Sequence, residues 1–328
     1  DVLAEEEHEI VGSYPAEGSA APAGAGAVAE VAPLDDLDAC NALLLSADAV
    51  VFPGAEPGAL EHARAALRLL KRGGYEGSKQ FVLVSSVMTW ARTKISGESV
   101  DSGLSESTFT KRKAAKSFSE LKTLETQTLA LARENLQTMV VAPGLMYGAG
   151  EAPLHSLFRQ AWLCDPPALP IIHSTRAGAN VLPMVHVKDV ARTVASCLSS
   201  PPESSYVVAV DKARSTLREV VECISSGLGT GQTRDLSREE TQELMLSDPT
   251  VGALNMHCYF DADATTMAGL GIEWVCEDGL VANAEAVIGE YKQARDLRPM
   301  RLVVSGPPAC SLNSAVAEAL AKTYYLPI

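Results

Sequence analysis

Ala47-Asp48-Ala49-Val50-Val51-Phe52 and Phe81-Val82-Leu83-Val84 are short apolar runs, and what lies between them decides the fold. Ala63, Ala66, Leu67 and Leu70 recur at i, i+3, i+4 and i+7, the spacing of one helix face. Gly73-Gly74 ends that helix. Strands that are apolar on both faces and joined through a helix belong to a parallel sheet covered on two sides. The expected fold class is therefore α/β, a doubly wound parallel sheet.

The same alternation continues in both directions. Leu121, Leu124, Thr128 and Leu131 form a second helical stripe, and Met139 to Val141 reads as a strand closed by Pro143-Gly144. Leu154, Leu157, Phe158, Ala161 and Trp162 mark another amphipathic helix. Asp189 falls in the first turn of a helix buried along Val190, Val194, Cys197 and Leu198, where a carboxylate suits the dipole. Tyr206 to Val210 reads as a strand. Thr216 with Glu219 forms a capping box ahead of Leu217, Val220, Val221 and Ile224. Between Gly227 and Asn283 the pattern weakens, as in a smaller and less regular lobe. Towards the N-terminus, Glu9 to Gly12 reads as a short strand, and the Ala/Gly/Pro-rich stretch Gly18 to Pro33 as a flexible insertion. Near the other end, Leu302 to Ser305 reads as a strand running into Gly306-Pro307-Pro308-Ala309-Cys310 and a small-residue helix. That is the frame of a phosphate-binding loop.

The 328 residues are 47% hydrophobic and 21% charged, ordinary for a globular protein with a large core. The net charge of −14 argues against a nucleic-acid or anionic-membrane surface. No apolar run approaches the roughly 20 residues that span a bilayer. Seven scattered cysteines without CxxC spacing fit reduced cytosolic thiols, and six histidines show no metal-ligand spacing. A chain that opens at Asp1 without methionine or signal peptide reads as a fragment, open at both ends.

Several of these stretches together resemble the extended short-chain dehydrogenase/reductases, the NAD-dependent epimerase/dehydratase group. They are residues 47–52, 81–90 (FVLVSSVMTW), 140–150 (VVAPGLMYGAG), 181–191 (VLPMVHVKDVA) and 206–211 (YVVAVD). Residues 81–94, 161–170, 206–225 and 290–310 (EYKQARDLRPMRLVVSGPPAC) further resemble the long adenylate kinases of motile cilia and flagella, the adenylate kinase 7 family. In that family a reductase-like domain precedes an adenylate kinase domain. The resemblance implies three segments: 1–33, a partial strand and disordered insertion; 34–297, the reductase-like domain; and 298–328, the truncated start of a kinase. It implies ATP and AMP as substrates of the whole protein, Mg2+ only with a complete kinase, and axonemal partners in a cytoplasmic, ciliary setting.

Hydride chemistry in the reductase fold needs a Gly-rich turn for the pyrophosphate, a tyrosine acid/base and a lysine that lowers its pKa. No GxxGxxG follows any strand. In the YxxxK register, Phe118 stands where the tyrosine belongs and Lys122 where the lysine does. Phenylalanine has no proton to give. Ser86 falls on the family's catalytic Ser/Thr position and reads as a turn serine, with Lys122 a solvated helix lysine. His186 and Asp189 match a fold-conserving segment, a core histidine with a helix-capping carboxylate, and Tyr147-Gly148 shapes a turn. NAD(P) is accordingly a doubtful ligand.

The phosphate loop has its own break. In GxxxxGK[ST] the second glycine allows close backbone approach, the lysine neutralises the β/γ-phosphates and the hydroxyl binds magnesium. Counting from Gly306, those places hold Ser311, Leu312 and Asn313; one inserted residue brings Ser314 to the hydroxyl position but supplies no lysine. The candidate nucleotide contacts are thus Gly306, Pro307, Pro308, Ala309, Cys310 and Ser314. The triplet reads either as a loop that lost its chemistry or as an error in the gene reading. Without nucleotide-monophosphate-binding helices, a lid or clamping arginines, the chain as written transfers no phosphoryl group. The leading expectation is an inactive reductase-like docking domain of an adenylate kinase. The alternatives are a live NAD(P)-dependent epimerase or reductase, and a pure axonemal scaffold.

Overall fold

The computed structural model describes residues 9–14, 28–33, 36–56, 58–93, 103–150, 153–174, 180–248, 251, 254–256, 258, 260–262, 265–298, 302–306 and 311–324. The strands are β1 (Ile10–Tyr14), β2 (Val28–Pro33), β3 (Ala49–Pro53), β4 (Lys79–Val84), β5 (Leu136–Pro143), β6 (Leu145–Tyr147), β7 (Ala168–Ile171), β8 (Met184–His186), β9 (Tyr206–Ala209) and β10 (Gln232–Asp235). The longer helices are α1 (Leu37–Ser46), α2 (Ala59–Arg72), α3 (Ser119–Leu129), α4 (His155–Leu163), α5 (Val187–Ser199), α6 (Leu217–Leu228), α7 (Arg238–Ser247), α8 (Ala284–Ala294) and α9 (Ser311–Tyr324). Contacts divide the chain into two compact units. One gathers Asp1–Leu145, Pro183–Arg214 and Cys258–Glu277; the other Met146–Leu182, Ser215–His257 and Asp278–Ile328.

The first unit is built on an all-parallel sheet in the order β3-β4-β5-β9. Phe81, Val82 and Leu83 of β4, Val140, Val141 and Ala142 of β5, and all of β9 are buried, as strands covered on both faces must be. The helix expected between the first two runs is α2, with Ala63, Ala66, Leu67 and Leu70 buried and Gly73 at its C-terminal end in a positive-φ conformation (79°). Each fully buried leucine of this kind stabilises by about 1.5–3 kcal/mol. Leu121 and Leu124 bury one face of α3, while Leu131 lies just past its end.

Two features of the first unit depart from the sequence reading. Val28–Pro33, inside the stretch expected to be flexible, forms β2 and pairs in parallel with β1 from Ile10↔Val28 to Tyr14↔Pro33. The ladder to β1 gives alternate residues of the segment backbone partners; residues 15–27 lie outside the described residues. Cys258–Glu277, placed by its weak periodicity in an irregular lobe, folds with the first unit. Phe260 meets Trp90 edge-on at 5.2 Å and the Cys276 N–H donates to Asp189, so specific contacts hold this segment without regular periodicity.

In the second unit, β7 and β10 pair in parallel. Phe158 of α4 packs on Tyr291 of α8 at 4.7 Å. The expected capping box starts α6: Glu219 N–H donates to Thr216 Oγ1 (3.2 Å), and Thr216 N–H donates to Glu219 Oε2 (2.7 Å). Leu302 to Ser305 forms no ladder among the described residues, and Val303 is 91% exposed. An apolar run becomes a strand only where a neighbouring edge accepts its backbone. The small-residue helix is present as α9.

Candidate functional site

Glu125 is the centre of the first unit's polar core. It shares a helical face with Leu121, Leu124 and Thr128, so α3 carries its carboxylate into the interior, where it is fully buried. Oε1 accepts from Ser85 Oγ (2.5 Å), Thr89 Oγ1 (3.1 Å) and the Tyr206 hydroxyl (3.3 Å). Oε2 accepts from Arg112 Nε (2.9 Å) and from a second guanidinium nitrogen of the same arginine. The Trp90 indole N–H donates to the Tyr206 oxygen at 2.9 Å. Arg112 is itself buried and lies over the rings of Phe109 and Tyr206, which stack at 4.7 Å. Burial pushes the Glu125 carboxyl above its ordinary range, and the Arg112 charge and the Ser85 and Thr89 hydroxyls pull it back. Five donors converge on its two oxygens, so the carboxylate is engaged by the protein's own groups. It is a cross-link joining α3 to the ends of β4 and β9.

The residues expected to carry reductase chemistry sit around this cross-link with separate partners. Ser86 caps the short helical turn Val87–Thr89, its Oγ accepting from Met88 N–H at 3.2 Å. Lys122, expected to be solvated, is half-buried and donates from Nζ to the Arg112 carbonyl at 2.7 Å. Phe118 is half-buried at the start of α3. Lys113, Ser119, Lys122, Thr123 and Thr126 line an open depression of about 570 Å³ here.

His186, not Asp189, caps α5: its Nδ1 accepts from Lys188 N–H at 3.2 Å. The buried Asp189 carboxylate accepts from the Val275 (2.7 Å) and Cys276 (3.1 Å) amides and so pins that loop. A third buried acid, Glu106, accepts from Val208 N–H at 2.7 Å and from the Thr266 amide and hydroxyl. Burial raises its pKa against the pull of these bonds. Sequence reasoning missed Glu125, Arg112 and Glu106. The available signal was a glutamate inside the apolar stripe of α3, since a charge on a buried face needs a partner.

At the other end of the chain, Pro307, Pro308, Ala309 and Cys310 lie outside the described residues. Gly306 and Ser314 are exposed. A Cβ on Gly306 would collide with the Asn313 side-chain amide, and Leu312, at the lysine position, is 64% exposed.

No family model matches the chain. Mouse (Mus musculus) adenylate kinase 7 is 34% identical over 266 residues, 77% of this chain and 41% of that protein. The chain is a relative of adenylate kinase 7. The Macaca fascicularis adenylate kinase 7 is 38% identical over 196 residues, 58% of this chain and 35% of the relative. The chain therefore spans about two fifths of the length of the curated relatives it matches. Among solved structures, a human epimerase family protein with NADPH matches at TM-score 0.60 and 16% identity, over 88% of this chain and 93% of that one. A Bacillus anthracis dTDP-glucose 4,6-dehydratase in complex with NAD matches at TM-score 0.65 and 14% identity, over 90% and 92%. A Thermotoga maritima UDP-glucose 4-epimerase with UDP-glucose matches at 0.65 and 13%, over 90% and 94%. At these identities the likeness shows the fold: a Rossmann-like epimerase/dehydratase architecture on an adenylate kinase 7 relative.

The described residues do not fit the groups these folds hold. For NAD(P), no described strand leads through a three-glycine turn to a helix; at Gly54, after β3, a Cβ would come within 2.6 Å of Leu83 Cδ1, so that glycine faces a side chain of the core. For ATP, the space over Gly306 is taken by Asn313 and the neighbouring position offers leucine in place of a cation. Among the described residues no cluster of His, Cys, Asp or Glu could hold a metal, and no helix is long and apolar enough to cross a membrane.

Proposed function

We propose that this chain is the reductase-like portion of a longer adenylate kinase that interconverts ATP, AMP and ADP, and that this portion is a docking domain without hydride chemistry. The observation that carries the reading is the polar core. Phe118 replaces the proton donor, Lys122 is committed to the Arg112 carbonyl, and the nearby carboxylate, Glu125, is saturated by five donors. Such an arrangement stabilises shape, and among the described residues of the polar core the groups that could move a proton are engaged with one another. Residues 1–33 are then a leading segment, 34–297 the docking domain and 298–328 the entry to the kinase, which needs Mg2+ once complete. Its partners are axonemal proteins, and its place is the cytoplasm of a motile cilium or flagellum.

A second reading, a pure scaffold with both nucleotide sites silent, is favoured by the Asn313 amide over Gly306 and the exposed Leu312. One experiment separates the three possibilities. The longer protein is assayed with Mg2+, ATP and AMP for ADP formation, and with NADPH and a nucleotide sugar for cofactor oxidation. ADP formation alone supports the proposal; neither reaction supports the scaffold; NADPH turnover sinks the docking reading in favour of a live reductase.

A further inference from the structure

One short stretch reverses the charge of an acidic chain. Net charge is −14, yet residues 111–122 hold Lys111, Arg112, Lys113, Lys116 and Lys122 against a single acid, Glu120. The fold sorts these charges. Arg112 turns inward and is neutralised by buried Glu125, while Glu120 is paired with Arg64 at 2.8 Å. Lys111, Lys113 and Lys116, on either side of Arg112 and just ahead of α3, stay exposed. Among the described residues none of the four lysines has an acidic partner.

Two of them wall a cavity. Lys113 and Lys122 line the open depression of about 570 Å³ beside α3, and all of its lining residues fall within the continuously described stretch 103–150. The backbone holds its rim in place. Lys113 N–H donates to Thr93 Oγ1 (2.8 Å), Arg92 N–H to Lys113 O (2.9 Å) and Ala115 N–H to Met88 O (3.0 Å). A ligand therefore has side chains alone to order, which keeps the entropic cost of binding low. The wall hydroxyls point their protons elsewhere: Ser119 donates to Lys116 O (2.9 Å), Thr123 to Ser119 O (3.1 Å) and Thr126 to Lys122 O (3.1 Å). The charged donors left for a ligand are the ammonium groups, Lys122 having one bond to the Arg112 carbonyl and two further N–H groups.

We infer that this depression docks an acidic, extended peptide of a partner protein, whose carboxylates meet Lys113 and Lys122 within it and Lys111 and Lys116 beside it. Charge complementarity selects the occupant. Lysine is a point charge without arginine's planar fork, so it reads negative charge along a chain rather than one fixed anion geometry. A single small anion cannot neutralise four lysines, whereas a run of Asp or Glu can. A second copy docked two-fold would set lysine against lysine, and like charges repel. The negative charge of the rest of the chain works against nucleic acids and anionic membranes, whose phosphates extend far beyond one depression. The inference rests on the docking reading above and narrows its partner to one chemistry.

The probe is a fluorescein-labelled peptide of consecutive glutamates, titrated into the 328-residue chain and read by anisotropy. Binding should weaken about tenfold or more between about 50 and 500 mM salt, as the screening length shortens. The matching glutamine peptide should not bind. Lys113→Glu with Lys116→Glu should weaken binding by about tenfold or more. Lys71→Glu with Arg72→Glu, the same change of net charge on the exposed end of α2, should leave it within about twofold. Circular dichroism checks that both pairs fold, and Lys113→Ala alone serves if the first does not. Four outcomes overturn the inference: no binding at low salt, equal binding of the glutamine peptide, equal weakening by the α2 pair, or a dimer that Lys113→Glu dissociates, which assigns the face to a second copy. Failure here without NADPH oxidation leaves the docking reading to another surface, whereas NADPH turnover sinks that reading whatever the peptide does.

Discussion

Replacing Glu125 by alanine isolates what the buried cross-link does. The change leaves the Arg112 guanidinium, 3% exposed, without a counter-charge, and strips three hydroxyls, on Ser85, Thr89 and Tyr206, of their acceptor. Removing one partner of a buried pair costs about 3–5 kcal/mol, because the remaining charge stays desolvated. The hydroxyls can rotate towards other acceptors, so their losses fall largely within that range. Against a typical stability of about 5–15 kcal/mol, the variant should lose a large share of its margin. The double variant Glu125→Leu with Arg112→Leu removes both charges and should recover about 1–4 kcal/mol relative to the single. The assay is urea unfolding followed by far-UV circular dichroism and by the fluorescence of the three tryptophans, Trp90 among them. Coincident transitions are required, since two units can unfold separately. A loss under about 1 kcal/mol for the single variant, or a double variant no more stable than the single, refutes the reasoning that Glu125 is held by charge pairing in a dry core.

Other outcomes follow from the same geometry. Glu106 holds its proton above the ordinary carboxylate range because it is buried, so its contribution to stability is complete at pH below 4.5 and is lost as pH rises through the raised value. Glu106→Gln should remove that loss, and parallel stability–pH curves for the two proteins would contradict it. Thr216→Ala takes the side-chain acceptor from the α6 capping box and should cost about 0.5–2 kcal/mol in urea unfolding, with no change in denaturant slope. In the longer protein, the combined Ser311→Gly, Leu312→Lys and Asn313→Ser exchange clears the space over Gly306 and supplies the missing cation. It should raise kcat/KM for ADP formation about a hundredfold; an unchanged value would mean that the triplet does not limit phosphoryl transfer.

The helices were legible because their signal is local. Ala63, Ala66, Leu67 and Leu70, or Thr216 with Glu219, announce a buried face or a cap within a few residues. Phe118 at the tyrosine position and Leu312 at the lysine position are legible in the same way, as residue types in a short register. The polar core was not. Tyr206 and Glu125 are 81 positions apart, and Arg112 and Glu125 meet only because α3 turns one face inward against β5. Periodicity carries no record of which distant hydroxyl satisfies a buried charge. Nor does it disclose that Val28–Pro33 finds a partner strand or that Phe260 closes over Trp90. The sequence by itself determined the α/β alternation and the residue types that stand at Phe118 and Leu312. Tertiary structure decided which groups meet the buried charges, because that depends on which strands and helices become neighbours.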